Sequence, residues 1–168
     1  MASNLPVILA IAPGTRECGI AVFEGFKLIY FRVKTSPSSL RKREKIPISK
    51  LLNDLFERFP VQTVVIKQIN QYQQASSGLK TIVSQIKMRA ESKHILVKEI
   101  SLTQIKSLLS KEGKPTQKKT FKMVANLYPE LQQFQDRPNK WQNDYYAYIF
   151  AATAVALVYL TNMTKKEK

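Results

Sequence analysis

The chain has 168 residues, 44% of them apolar, which suits one compact domain with its own core and is too short for two ordinary domains. Its 27 Lys and Arg against 12 Asp and Glu leave a formal charge of +15, far more than solubility requires, and such a balance points to nucleic acid as a polyanionic partner because phosphate contacts release condensed counterions. Cys18 is the only cysteine, which excludes an intrachain disulfide and the Cys-rich zinc patterns and fits an intracellular setting, cytoplasmic or nucleoid-associated.

The opening MASNLPVILAIAPG has no basic leader and reaches a Pro-Gly turn too early for a secretory signal. Within it, Val7 to Ala12 is an unbroken apolar run between Pro6 and Pro13, the pattern of a strand buried on both faces. Gly19 to Phe23, Glu24-Gly25 and Phe26 to Lys34 read as a hairpin with Gly25 in the turn, so three antiparallel strands open the fold. The segment TSPSSLRKREKIP that follows is a loop carrying Arg41, Lys42, Arg43 and Lys45.

Ile48, Leu51, Leu52, Leu55, Phe56 and Phe59 then recur at helical spacing and stop before Pro60. Gln62 to Lys67 is a second buried strand, Gly78 to Arg89 a helix with Leu79, Ile82, Val83 and Ile86 on one face, and Ile95 to Ile100 a third core strand. Ser101 or Thr103 can cap a short helix through Leu109, and Thr116 another through Leu127. A last helix runs from Asn143 to about Thr161. Its core, Ala147 to Leu160, is shorter than the roughly 18 residues needed to span a bilayer, so it reads as a buried helix and no membrane partner is expected. The order, β-β-β-α-β-α-β-α-α-α, implies a mixed five-stranded sheet with helices on both faces, in one domain over residues 1–163 with a basic disordered tail at 164–168.

Four strings in this order are similar to the RuvC family of Holliday junction resolvases, members of the RNase H-like fold. ILAIAPGTRECGIAV resembles the family's first strand and turn, VVIKQINQYQQASSGLK its fourth strand and following helix, QIKSLLSKEGKPTQKKTFKMV its lysine-bearing segment, and NDYYAYIFAATA the start of its last helix. In that family four carboxylates hold two divalent cations, which activate water and stabilise the leaving oxygen of a phosphodiester. Carried over position by position, the resemblance leaves Ala12 and Lys67 where strands one and four should present acids. On the last helix Asp144 keeps its acid, and Ala147 replaces the second.

One carboxylate cannot do the work of four, and an ammonium among them repels the cation. The resemblance therefore implies a protein that binds duplex or branched DNA without metal-dependent cleavage, with no cofactor. In this reading Lys67 fills the vacated metal site and pairs with Asp144. The alternative is an active, magnesium-dependent endonuclease whose site has been rearranged around Asp144, joined by Glu17 or another residue. An engineered Ala12 would explain one missing acid and leave Lys67 and Ala147 unexplained. Plainer roles stand beside these: Asp144 as a helix N-cap, Lys67 reaching to water, Pro13-Gly14 as a simple turn, and His94 as a structural or surface residue.

Lys106, Lys111, Lys114, Lys118, Lys119 and Lys122 form the densest positive stretch, against Glu112 alone. The resemblance puts Lys106 and Lys118 at junction-contacting positions, and Arg41, Lys42 and Arg43 form a second, looser patch. Asn70 stands where the family has an aromatic wedge, and Tyr72 is the nearest replacement, able to stack on a base. By analogy, the helix at 78–89 is the surface for a homodimer.

Overall fold

The computed structural model describes residues 5–14, 16–35, 48–69, 77–108, 116–135 and 138–166. Five strands, β1 (Val7–Ala12), β2 (Glu17–Glu24), β3 (Lys27–Thr35), β4 (Thr63–Lys67) and β5 (Leu96–Ile100), form one sheet in the order β3-β2-β1-β4-β5. The first three are antiparallel neighbours, and β1–β4 and β4–β5 are parallel pairs. Around them lie α1 (Ile48–Arg58), α2 (Ser77–Ser92), α3 (Leu102–Leu108), α4 (Gln117–Leu127), a 3₁₀ turn (Pro129–Phe134) and α5 (Lys140–Lys166). The mixed sheet with helices on both faces is the architecture the residue pattern implied.

Alternation along β1 explains the two layers. Val7, Leu9 and Ile11 face a core built with α1 and α2, whereas Ile8, Ala10 and Ala12 face a core built with α4 and α5. The second face is lined by small residues, Ala10, Ala12, Ala21 and Gly19, so α5 lies close on the sheet. A Cβ at Gly19 would come within 2.0 Å of the Tyr148 carbonyl oxygen, and one at Gly14 within 2.9 Å of the Tyr148 ring. Glycine is required at both positions by this approach, so Pro13-Gly14 is more than a turn. Gly25 takes the positive φ of the β2–β3 turn, as its place in the sequence implied.

Local chemistry fixes the helix ends. Ser101 and Gln104 form a reciprocal cap at α3, the Ser101 hydroxyl accepting from the Gln104 N–H and the Gln104 side chain accepting from the Ser101 N–H. Thr116 caps α4 through the Lys119 N–H. At the end of α2, His94 sits at φ +59°, while the Ile95 N–H bonds back to the Ala90 carbonyl and the His94 N–H to that of Glu91. His94 is thus a structural helix terminator.

Three sequence expectations need correction. Ile95–Ile100 is no core strand: β5 is the sheet's edge, and of its residues Ile100 alone is buried. The last helix begins at Lys140 and runs through Lys166, so residues 164–166 are helical and the Thr164 hydroxyl donates to the Leu160 carbonyl. Finally, Gln142–Lys165 is long and apolar enough to cross a membrane by composition alone, because the Thr, Asn and Tyr residues flanking the apolar run carry no charge. More than half of that stretch is buried against β1, β2, β4 and the neighbouring helices, as a core helix is.

Candidate functional site

The parallel ladder pairs Ile11 with Ile66, so Ala12 and Lys67 are neighbours at the ends of adjacent strands, about 5 Å apart by strand spacing. Both lie on the α5 side of the sheet. Ala12 is 1% exposed and belongs to the apolar core. Lys67 is partly buried, and desolvation pushes its amine below the usual lysine value.

Lys67 and Asp144 are not brought together. Lys67 lines a cavity of about 390 Å³ with Lys106, Thr116, Thr120 and Phe121, between the end of β4 and helices α3, α4 and α5. Asp144 and Ala147 line a second, smaller cavity of about 170 Å³ with Lys118. Phe121 borders both cavities and stacks on Phe150 with ring centroids 4.7 Å apart. The expected Lys67–Asp144 ion pair is therefore absent, because an aromatic side chain from α4 lies between the two spaces. Nor is Asp144 an N-cap: α5 starts four residues earlier, and the N–H groups of Gln142 and Asn143 bond to the Asn139 carbonyl.

Tyr148 completes the region. One turn beyond Asp144, its ring lies over Gly14, and burial raises its hydroxyl pKa, with further contributions from Glu17, Cys18 and Asp144. The hydroxyl therefore stays neutral at physiological pH. Cys18, wholly buried beside it, has its thiol pushed up to about 12 by desolvation. Among the described residues, no three His, Cys, Asp or Glu side chains lie close enough to share an ion. A divalent cation of the magnesium type wants several oxygen ligands. A methyl group at position 12 and an ammonium at position 67 do not supply them, so the residues present do not fit such an ion.

The basic surface is partly described. Lys106 on α3 and Lys118, Lys119 and Lys122 on α4 are exposed, and Lys106 and Lys118 border the two cavities. Lys114, Arg41, Lys42, Arg43, Lys45, Asn70 and Tyr72 fall outside the described residues. Sequence reasoning missed Thr120, Phe121 and Tyr148. For Tyr148 a signal existed, since two glycines in six residues, the second inside a strand, mark a close approach by another element. Nothing local in FKMV announces that Phe121 would stand between two cavities.

Comparison with known proteins accounts for this arrangement. The family model for crossover junction endodeoxyribonuclease RuvC matches residues 8–145. The chain belongs to the RuvC family. The match takes in Ala12, Lys67 and Asp144 and ends just before Ala147. Thermus thermophilus RuvC in complex with a Holliday junction substrate is similar in structure, with a TM-score of 0.68 at 18% identity over 91% of each chain. The fowlpox virus Holliday junction resolvase aligns with a TM-score of 0.57 at 12% identity over 93% of this chain and 99% of that one. At such identities these likenesses establish the RNase H-like fold. No curated protein matches this chain.

Proposed function

We propose that this RuvC-family chain binds branched DNA through the basic face of α3 and α4 and does not cleave it with metal ions. One observation carries the reading: of the four positions where the family resemblance asks for acids, Asp144 alone has one, and it lines a different cavity from Lys67. Phosphate binding needs positive charge and shape, both of which remain, whereas two-metal hydrolysis needs carboxylates at fixed spacing. Relatives solved with Holliday junction DNA support the choice of branched DNA over other polyanions.

The test is a gel-shift series on a four-way junction at rising salt beside a cleavage assay with magnesium or manganese. Retarded but intact junction is the expected result, and nicked product overturns the reading. A second reading, an endonuclease rearranged around Asp144 and Glu17, has one observation in its favour: both carboxylates act on the Tyr148 hydroxyl. The same cleavage assay decides it. A homodimer through α2 also belongs to the proposal, supported by Met88, which is 67% exposed on that helix, and sedimentation velocity tests it.

A further inference from the structure

The larger of these two cavities holds a charge without a counterpart among the described residues. Lys67 has no hydrogen-bond or ion-pair partner among the described residues, and the surrounding walls are largely apolar, from Leu102, Ile105, Phe121, Ala151 and Ala154. An ammonium withdrawn from water among apolar groups is unfavourable until an anion joins it. Lys106, at the same cavity, adds a second cation, so no lysine there compensates another.

The hydroxyls complete the polarity. The Thr116 oxygen accepts from the Lys119 N–H, which leaves its O–H free to donate, whereas Thr120 donates its own O–H to the Thr116 carbonyl. The first turn of α4, eleven residues long and capped by Thr116, adds the positive end of its dipole. Two ammonium groups and one hydroxyl donor thus border the same space as five apolar side chains, in a volume typical of small-molecule sites.

We propose that this cavity binds a phosphate monoester carried on a planar organic ring, a nucleotide, with Lys67 and Lys106 on the phosphate and the ring against Leu102, Ile105 and Phe121. The group is either a free mononucleotide or the phosphorylated end of a strand. The choice of phosphate over another anion rests on the nucleic-acid reading above; the cavity, and an ammonium unpaired among the described residues, stand without it. A lowered amine pKa fits a site suited to an anion, since an incoming negative charge opposes the desolvation and raises the pKa again.

Titration of deoxyadenosine 5′-monophosphate into the labelled protein, followed by amide chemical shifts, tests the site. Saturable shifts at Lys67, Lys106 and 116–120 are expected, with deoxyadenosine weaker by about tenfold or more, the equivalent of one charge-assisted hydrogen bond. Lys67→Met and Lys106→Met should each weaken the monophosphate about tenfold. Lys106 is exposed, so its variant carries little folding risk. Lys50→Met, on the opposite face of the sheet, should change nothing.

Absence of binding, or binding that both cavity variants leave intact, overturns the proposal. Competition by an oligonucleotide with a 5′-phosphate but not by its 5′-hydroxyl twin supports the proposal with the strand end as source, and failure of both to compete supports it with the free nucleotide. The junction gel shift separates this site from the wider reading. Junction binding without monophosphate binding removes the cavity proposal alone, and the reverse removes the DNA-binding proposal alone.

Discussion

Lys67 and Ala12 stand side by side, and their environments make opposite predictions. Folding lowers the Lys67 amine pKa from its unfolded value of 10.5, so between the lowered value and 10.5 the unfolded chain holds more protons. Stability should therefore rise with pH through that interval. Lys67→Met should remove the rise and make the protein more stable at neutral pH, as urea unfolding at several pH values will report. Ala12→Asp should lower stability by about 2 kcal/mol in the same assay, because position 12 is sealed among apolar groups, and adding Lys67→Met should deepen the loss by removing the ammonium on the neighbouring strand. Both residue identities were plain in the sequence. The failed pairing of Lys67 with Asp144 was not, since it depends on Phe121, which arrives from α4 some fifty residues later in the chain.

At the scale of elements, the helices and strands were legible because periodicity and caps agreed with each other. β1 is buried throughout as its apolar run demanded, and Thr116 caps α4 as its place before the helix suggested. The errors fell where tertiary placement overrides local pattern. β5 reads Leu-Val-Lys-Glu-Ile, and its place at the edge follows from which strands pair, a matter local sequence does not encode. Two substitutions probe these elements. Gly19→Ala should lower stability by about 3 kcal/mol and shift Tyr148 signals, because the added methyl meets α5 backbone rather than a flexible side chain. His94→Gly should raise the melting temperature, with a gain of about 0.5–1 kcal/mol, by relieving a left-handed conformation in a side chain that nothing else needs there.

For the whole molecule, the excess of 15 positive charges is the property most directly tied to a partner. Lys118→Glu with Lys119→Glu should weaken junction binding and reduce the slope of log affinity against log salt by about 2, measured by fluorescence anisotropy. If the slope is unchanged, those lysines do not touch phosphate. Charge and family resemblance are legible in the residues themselves, as a count of lysines and as four ordered strings. The two cavities are not, because they form where α3, α4 and α5 converge near the end of β4, and each helix alone looks like an ordinary surface or core helix.

The close approach of the Tyr148 backbone to Gly19 bears on what the neighbouring position 12 can accept. With the last helix seated this tightly, a larger side chain introduced at position 12 meets a closed crevice and has to displace the helix to be accommodated. The seating of one helix thereby limits that end of the first strand to small side chains.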